Sequence, residues 1–288
     1  MNSLPTISII TPTYNQGHFI RDTLRSIQEQ NYPGLEHIIV DAVSTDETPK
    51  ILAEYAATTP NVKIICEPDK NQSDAINKGK RAATGEVVAW LNSDDVLCPG
   101  ALLKIGEAFR DHPNASVIYG LGAKTDRDGN VMKWVPFREF SPRNLATSYR
   151  VIQPAMFYKR SVYNEVGGLD ESLEYAMDWE LLIRLARGRE VIAINEKIAM
   201  LRCYEQTKTS TGGWKRMEEI AAIGRKHNGP LDLNFLSFQI RNTLSRFGPP
   251  RWLARVVDGF FFKLAEFRPI MIVGWPADSD RPSGSTNS

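Results

Sequence analysis

Short apolar runs and amphipathic segments alternate along the first hundred residues of the chain. The apolar runs, at residues 6–11, 36–41, 62–66 and 87–91, are rich in Ile and Val and predict four β-strands. The fourth run is apolar throughout, which is typical of a strand buried on both faces. Strands that alternate with helical segments predict right-handed βαβ units on a parallel sheet.

The segments between these strands carry helical patterns. Ile20 and Leu24 recur at helical spacing in the first segment. Ser44 and Glu47 have the spacing of a capping box, which predicts the start of a second helix. A third, short helix is predicted from about residue 73 to about residue 85.

The alternation is lost beyond residue 95. The pattern there predicts a helix at 100–110, a strand at 116–119, a helix at 178–187 and a further strand at 191–194. Prolines between these elements predict irregular chain, at Pro136, Pro142 and Pro154. We therefore expect the second part of the domain to depart from the βαβ repeat.

The length of 288 residues allows one large α/β domain with a helical appendage. We place the domain at residues 1–230. Residues 231–276 are aromatic, basic and amphipathic, which predicts a helical appendage. This appendage packs either on the domain or on a partner chain, or it lies at a membrane interface. Residues 277–288 are rich in Ser, Asp, Pro and Gly and predict a disordered tail.

Charge and cysteine content narrow the classes of function. The chain has 35 basic and 34 acidic residues, so no overall field attracts nucleic acid or anionic lipid. Its three cysteines have neither disulfide nor zinc spacing and fit a reducing compartment. No run reaches the ~18 apolar residues of a membrane span. We expect a cytoplasmic protein without a nucleic-acid partner; peripheral contact with the cytoplasmic face of the membrane and a homodimer stay open.

Polar residues follow each of the four predicted strands, at residues 11–15, Asp41, 67–70 and 92–95. Open α/β sheets bind ligands beyond the carboxyl ends of their strands, so we expect these residues to meet at one crevice. Asp94 and Asp95 offer the carboxylate oxygens that Mg²⁺ and Mn²⁺ prefer. The alternative for this pair is a solvated turn or a helix cap.

Six motifs occur in an order and at a spacing that resemble family 2 glycosyltransferases. They are ISIITPTYN at 7–15, VDAVSTDET at 40–48, EPDKNQSDAINKG at 67–79, AWLNSDD at 89–95, Gln153-Pro154, and MDWELLIR at 177–184. The resemblance covers about residues 5–210 and is to members that build bacterial surface polysaccharides. It implies the α/β GT-A nucleotide-diphospho-sugar transferase fold, with a mostly parallel central sheet followed by the C-terminal helical appendage, and it makes residues 1–230 the catalytic domain.

The resemblance also implies an inverting enzyme that moves a sugar from a nucleotide-diphosphate sugar, most often a UDP-sugar, to a hydroxyl of a glycan or lipid-linked acceptor. Asp41 would accept a hydrogen bond from the base, with a helix-entry cap as its alternative role. Asp74 and Lys78 would face the ribose, sugar or phosphates, with a solvated helix face as the alternative. The residues implied to bind the nucleotide-sugar are Thr11, Pro12, Tyr14, Asn15, Asp41, Asp74, Lys78, Asn92, Asp94 and Gln153.

The catalytic groups follow from the same resemblance. Asp95 would be the direct ligand of Mn²⁺ or Mg²⁺, and Asp94 would belong to the same metal motif but lie nearer the sugar or ribose. Asp178, at the start of a predicted helix, matches the family's catalytic carboxylate. It would act as the base that takes the proton from the acceptor hydroxyl. Arg202 and Lys208 fall where the family has a mobile basic segment able to close over the diphosphate, with an ordinary surface loop as the alternative.

Two departures from the family pattern are visible. Ala42 and Val43 stand where glycines are usual after the aspartate, so we expect a stiffer loop. Met177 stands where an acidic residue is common before the base.

Two other functions compete with this interpretation. A nucleotidyltransferase would need a glycine-rich, basic loop after the first strand, where this chain has Thr13, Tyr14, Asn15 and Gln16. A non-catalytic regulatory or scaffold protein that binds a nucleotide-sugar would share the binding residues but would not turn over any donor.

Overall fold

The computed structural model describes residues 3–135 and 152–228. The strands of these residues are β1 Ile7–Thr13, β2 Leu35–Asp41, β3 Val62–Cys66, β4 Val87–Trp90, β5 Val96–Leu97, β6 Ala115–Thr125, β7 Val131–Val135, β8 Met156–Lys159 and β9 Glu190–Arg202. They form one sheet in the order β3-β2-β1-β4-β8-β6-β9-β5, with β7 paired to the far end of β6.

The described residues also form eight α-helices. They are α1 Ile20–Gln28, α2 Thr48–Thr58, α3 Gln72–Ala82, α4 Ala101–Asp111, α5 Arg160–Glu165, α6 Met177–Ala186, α7 Lys208–Thr211 and α8 Gly213–Asn228. A 3₁₀ turn, Gln153–Ala155, precedes β8.

The first four strands are parallel and adjacent, in the order β3-β2-β1-β4. This confirms the βαβ interpretation and places the carboxyl ends of these strands at one edge of the sheet. β1 starts one residue later than predicted and ends two residues later, because it continues through Pro12 to Thr13. Its pairing with β4 ends at Ile10, whereas its pairing with β2 continues, so Pro12 lies where one side of the strand is unpaired.

The second half of the sheet is mixed. β8 runs antiparallel to both β4 and β6, while β9 is parallel to β6 and antiparallel to β5. β6 and β9 have 11 and 13 residues, much longer than predicted. Glycines interrupt the apolar pattern of β6 because a Cβ at Gly120 or Gly122 would meet Ile198 or Ile152. β5, β7 and β8 had no predicted counterpart.

Helices cover both faces of the parallel strands. Ile7 and Ile9 belong to a core with buried residues of α1 and α4. The alternate residues Ile10 and Val40 face α3, where a Cβ on Gly79 would lie 2.5 Å from Ile10 Cγ2 and 3.1 Å from Val40 Cγ2. A glycine at this position therefore lets α3 pack closely on β1 and β2.

The predicted capping box is wrong. Helix α2 begins at Thr48, and neither Ser44 nor Glu47 caps it through a side chain. Ser44 instead donates its hydroxyl to Asp41 Oδ1, while Asp46 Oδ1 accepts the Thr48 N–H at 2.9 Å. The loop after β2 competes for the serine that the spacing assigned to the helix.

The described residues fall into two compact units, divided between Glu219 and Ile220. The first contains the sheet and α1 to α7, and the described part of the second is residues 220–228. The predicted appendage at 231–276, the tail at 277–288 and the irregular chain around Pro136 and Pro142 lie outside the described residues. Among the described helices, none combines the length and apolarity needed to cross a bilayer.

Candidate active site

The loops that follow β1 and β2 are joined by hydrogen bonds. Asn15 donates its N–H to Ser44 Oγ at 2.8 Å and accepts the Thr45 N–H on Oδ1 at 2.8 Å. Gly17 N–H donates to Asp46 Oδ2 at 2.9 Å. Asn15 has a φ of 51°, a conformation that asparagine tolerates better than most residues. Asn15 therefore fixes the two loops relative to each other.

The other predicted residues of the β1 end differ in exposure. Thr11 is fully buried, and its hydroxyl lies 2.9 Å from His37 Nε2. Pro12 is also buried, whereas Tyr14 is 58% exposed at the sheet edge. Burial lowers the pKa of His37 to about 3, so this histidine is a neutral support beneath the edge. Of the three predicted residues, Tyr14 is the one whose side chain is open to solvent.

Asp41 ends β2 and is only 2% exposed. Its carboxylate accepts the Ser44 N–H at 3.2 Å, and Cys66 Sγ, at the end of β3, lies 3.8 Å from its Oδ2. Asp41 lies too far before α2 to be a helix-entry cap, so that alternative is excluded. Val43, in the same loop, has a φ of 62° and is 46% exposed. A β-branched residue in this region is strained.

Three charged residues around the first turns of α3 form an ion-pair group, which we call the α3 cluster. Lys78 Nζ lies 3.3 Å from Asp74 Oδ2 and 3.2 Å from Glu67 Oε1. Asp74 is 6% exposed, which excludes a solvated helix face for this residue. Burial opposes ionisation of Asp74, but the Lys70 N–H, at 3.0 Å, and the Lys78 ammonium outweigh it and lower the pKa of the carboxyl.

Asp94 and Asp95, which we call the β4 pair, follow β4. Asp95 is 1% exposed and accepts the Arg202 N–H on Oδ1 at 3.0 Å and an Asn92 amide N–H on Oδ2 at 3.0 Å. Asp94 Oδ2 accepts the Tyr204 hydroxyl at 3.0 Å. Burial raises the pKa of both carboxyls, and Asp94 raises that of Asp95 further. A solvated turn is thus excluded for this pair.

Asn92 connects three segments of the edge. Its Oδ1 accepts an N–H of Gln72, the first residue of α3, at 2.7 Å. Its Nδ2 donates to Asp95 Oδ2 and, at 3.4 Å, to Gln153 Oε1. Gln153 in turn donates to the Trp90 carbonyl at 3.0 Å. The predicted residues Asn92, Asp95 and Gln153 therefore lie together, and Gln72 joins them to α3.

The β4 pair fits a hard divalent cation. Within residues 3–135 and 152–228, no group of three or more His, Cys, Asp and Glu side chains could hold a metal by itself. Mg²⁺ and Mn²⁺ are commonly held by one or two carboxylates, with waters and substrate phosphates completing the shell. The raised pKa of both carboxyls indicates negative charge that the protein compensates poorly, which a cation would relieve.

The structure corrects the expectation for Arg202. It ends β9, is 8% exposed, and donates from Nε to the Asp94 carbonyl at 2.9 Å. Its guanidinium also lies 3.2 Å from Asp22 Oδ2 and 4.7 Å from the centre of the Phe19 ring. A side chain held on so many sides supports the β4 pair rather than closing over a ligand. Lys208 donates to the Glu174 carbonyl at 3.2 Å.

Asp178 lies in the first turn of α6 and accepts the N–H of Trp179 at 2.8 Å. Burial raises the pKa of Tyr158, and the charge of Asp178 raises it further, so Asp178 lies within electrostatic range of Tyr158. The Tyr158 ring stacks on Trp90, the last residue of β4, at 5.5 Å. Asp178 is therefore within electrostatic range of the place where β4 and β8 pair.

The next positions of α6 are structural. Trp179 is 2% exposed and belongs to the interior. Glu180 is fully buried, and its Oε2 lies 2.6 Å from Arg184. The two residues are four positions apart on one helix, and their ion pair is largely shielded from solvent.

Sequence reasoning missed Gln72 and Tyr204. Gln72 lies inside a motif that was recognised, but its hydrogen bond to Asn92 depends on how α3 packs on the sheet. Tyr204 lies 110 residues from Asp94 and belongs to no motif. Its position just after β9, once that strand is known, is the signal that could have found it.

The sequence of this chain is similar to those of known glycosyltransferases and polysaccharide synthases. The sequence profile described as "Glycosyl transferase family 2" matches residues 8–167. A chondroitin synthase of Escherichia coli is 29% identical over 210 residues, which are 73% of this chain and 30% of that protein. A hyaluronan synthase of Pasteurella multocida is 27% identical over 211 residues, 73% of this chain and 22% of that protein. The chain spans less than a third of the length of these two relatives.

Two solved structures share the fold. A fragment of TarS from S. aureus, in complex with UDP-GlcNAc, has a TM-score of 0.60 and 21% identity, over 81% of this chain and 70% of that one. The mannosyltransferase PcManGT from Pyrobaculum calidifontis, in complex with GDP-Man and Mn²⁺, has a TM-score of 0.61 and 19% identity, over 93% of this chain and 82% of that one. They confirm the predicted GT-A fold class.

Proposed function

Because the chain belongs to glycosyl transferase family 2 and is a glycosyltransferase, we propose that it transfers a sugar, with inversion, from a nucleoside diphosphate sugar to an acceptor hydroxyl. A uridine diphosphate sugar is the preferred donor. One observation carries the proposal: the Asn92 amide joins the start of α3, the β4 pair and the 3₁₀ turn in a single hydrogen-bonded edge. The Lys78 ammonium and the carboxylates of the β4 pair flank that edge, and with a cation on the carboxylates they would suit a charged diphosphate.

The donor would lie across the carboxyl ends of the parallel strands. Asp41 would accept a hydrogen bond from the base, and Tyr14, which is exposed, would offer a ring face to it. Lys78 and Asp74 would contact the ribose, sugar or phosphates. Thr11 and Pro12 would shape the floor of this pocket, since both are buried in β1.

The chemical step needs one base. Asp178 would take the proton from the acceptor hydroxyl while that oxygen attacks the anomeric carbon. The bond from the anomeric carbon to the diphosphate oxygen breaks, and the nucleoside diphosphate leaves with the electron pair. The configuration inverts because the new bond forms opposite the departing group.

A divalent cation would be held by the β4 pair, Asp94 and Asp95. When bound, Mn²⁺ or Mg²⁺ supplies positive charge that stabilises the departing diphosphate. The support for this assignment is the hard oxygen donor set and the raised pKa of both carboxyls.

The acceptor would be a growing glycan or a lipid-linked sugar in the synthesis of a surface polysaccharide. The relatives named as chondroitin and hyaluronan synthases support a polysaccharide product. The structural neighbours in complex with UDP-GlcNAc and GDP-Man support a nucleotide-sugar donor.

Thermal shift with a panel of UDP- and GDP-sugars, with and without Mn²⁺, tests the donor. We expect a UDP-sugar with Mn²⁺ to raise the midpoint of unfolding, because a ligand that binds the folded state stabilises it. Release of UDP from that donor is then measured in the presence of acceptor oligosaccharides. The variant Asp178→Asn should retain the thermal shift but lose turnover by at least about 10²-fold.

The control is Asp128→Asn, which removes an exposed carboxylate in the turn between β6 and β7 and should keep both properties. A thermal shift without turnover of any donor would favour a non-catalytic nucleotide-sugar-binding protein. Unchanged turnover in Asp178→Asn would reject Asp178 as the base.

A further inference from the structure

The backbone of the segment between α5 and α6 is held by side chains of α3 and of its N-cap residue. Asn77 donates its amide to the Leu169 carbonyl and accepts the Leu169 N–H, both at 3.0 Å. Asn71 donates to the Glu171 carbonyl at 2.8 Å. These side chains belong to the helix that carries Asp74 and to its N-cap. The same helix therefore supports the α3 cluster and the chain that leads to Asp178.

The end of this segment is held by a single distant carboxylate. Glu219, on α8, accepts the N–H groups of Glu174 at 3.1 Å, Tyr175 at 3.0 Å and Ala176 at 3.0 Å. Its Oε1 and Oε2 share these three consecutive donors. Glu219 and the three residues belong to the same compact unit.

The close packing beside Tyr175 limits movement of the segment further. A Cβ placed on Gly212 would lie 2.8 Å from the Tyr175 ring. Lys208 donates to the Glu174 carbonyl at 3.2 Å. Residues 208–219 therefore contact the segment 174–176 in two ways: they hydrogen-bond its peptide groups and they pack against the Tyr175 side chain.

The N-cap of helix α6 does not cap the helix with its own side chain. It is Ala176, whose methyl group cannot accept a hydrogen bond. A carboxylate near a helix N-terminus is also stabilised by the helix dipole. Glu219, 43 residues away, accepts the N–H of this N-cap residue and places its carboxylate directly before the turn that carries Asp178.

We propose that Glu219 is a positioning residue for Asp178. It clamps the peptide groups of 174–176 and so sets where the first turn of α6 presents the carboxylate to the acceptor. This inference rests on the proposed role of Asp178 as the base. Glu219 acts through that turn, so its loss should impair the chemical step and leave donor binding intact.

The test compares Glu219→Gln with Glu218→Gln, a change at the exposed neighbouring residue that contacts Trp214. Glutamine keeps the size of glutamate but turns an N–H₂ toward donors and removes the charge. Amide exchange of residues 174–178 is measured in both variants and in the wild type. The Kd of UDP with Mn²⁺ is measured by calorimetry. UDP release is measured with UDP-glucose, UDP-galactose, UDP-N-acetylglucosamine and UDP-glucuronic acid.

In Glu219→Gln we expect exchange at 174–178 to become at least about tenfold faster and kcat to fall by about 10- to 100-fold. The Kd of UDP and the donor KM should stay within about twofold, a split that general unfolding would not produce. The double variant Asp178→Asn/Glu219→Gln should be no slower than Asp178→Asn alone, because both changes act on one group. Glu218→Gln should match the wild type.

Unchanged exchange at 174–178 in Glu219→Gln would overturn the proposal whichever donor is used. Loss of turnover in Asp178→Asn but not in Glu219→Gln would overturn this proposal and leave the proposed function standing. Full turnover in Asp178→Asn would overturn the proposed base and this inference together. A loss of UDP affinity equal to the loss of kcat would mean that Glu219 supports the whole site rather than Asp178.

Discussion

The α3 cluster and the β4 pair lie on the same edge of the sheet, yet their charges are balanced in opposite ways. Asp74 has an ammonium and a backbone N–H beside it, and its pKa is lowered. Asp95 is buried and Asp94 is half-buried, and the pKa values of both are raised, that of Asp95 in part by the charge of Asp94. The α3 cluster is thus complete without a ligand, whereas the β4 pair gains from an added cation.

The two groups also differ in how they are assembled. The α3 cluster comes from one contiguous stretch, with Lys78 four residues after Asp74 on one helix. The β4 pair depends on partners from the end of β9: Arg202 lies 107 residues from Asp95, and Tyr204 lies 110 residues from Asp94. Substitutions in the α3 cluster and in the β4 pair should therefore have effects of different size.

The largest effect should follow removal of charge from the β4 pair. Asp95→Asn keeps the shape of the side chain but removes the negative charge that would hold the cation. We expect turnover with Mn²⁺ to fall by about 10²- to 10³-fold, since electrostatic stabilisation of the leaving group is lost. UDP release from the donor found in the thermal-shift panel measures this. Asp111→Asn, at an exposed ion pair with Arg110, is the control. If Asp95→Asn kept more than a tenth of the wild-type turnover, the β4 pair would not depend on an added cation, and it would not differ from the α3 cluster in this respect.

Burial of His37 should also make the stability of the protein depend on pH. This contribution has to be measured separately from any effect of acid on the α3 cluster or the β4 pair. Burial lowers the pKa of His37 to about 3, so below its unfolded pKa of 6.5 the unfolded chain binds a proton that the folded chain does not. Stability should therefore fall as pH drops from about 6.5 toward 3, and the loss should reach about 2 kcal/mol at pH 5.

Urea unfolding at pH 7, 6 and 5 measures this loss. His37→Gln should be less stable at pH 7 because His37 bonds Thr11 and Tyr55, but it should lack this part of the pH dependence. His112→Gln changes an exposed histidine and should keep the slope of the wild type. An unchanged slope in His37→Gln would show that another group causes the loss.

The contrast between the two groups also explains how much could be predicted from the sequence. β1 to β4 and their helices follow from local periodicity, and the strand ends that they bring together were recognised as a ligand edge. The length of β9 was not predicted, because Asn195, Glu196 and Lys197 interrupt its apolar pattern. The contacts of Arg202 with Asp94 and Asp95 could not be predicted either, because Arg202 is the last residue of this strand. Ser44 was misassigned because a loop and a helix cap use the same side-chain chemistry.

A smaller effect is expected at the α3 cluster. Lys78→Met removes the ammonium and leaves the poorly exposed Asp74 carboxylate with its backbone donor alone. We expect the free energy of unfolding at pH 7 to fall by about 1.5 kcal/mol, between the values for exposed and buried pairs. Urea unfolding measures it. Lys104→Met, which breaks the more exposed pair with Glu196, should cost about 0.5 kcal/mol or less. Equal losses in both variants would mean that the α3 cluster is no better balanced than a surface ion pair.

The smallest effect should appear at Val43, in the loop that follows β2 and precedes α2. Val43→Gly removes a β-branched side chain at a φ of 62°, a conformation that costs an L-residue roughly 1–2 kcal/mol and glycine almost nothing. Glycine adds freedom to the unfolded chain, worth about 0.5–1 kcal/mol in the opposite direction. The net result should be a stabilisation of about 0.5 kcal/mol in urea unfolding, since the exposed side chain contributes little packing.

The matched change is Val131→Gly, at an equally exposed valine in β7, where the same loss of a side chain should destabilise by about 1 kcal/mol. Both variants lose the same side chain, so opposite signs of the change in unfolding free energy would be due to the backbone conformation at Val43. If Val43→Gly were as destabilising as Val131→Gly, the loop after β2 would not be strained. Val43, in place of the glycine usual in the family, would then not lower the stability of the loop that follows Asp41.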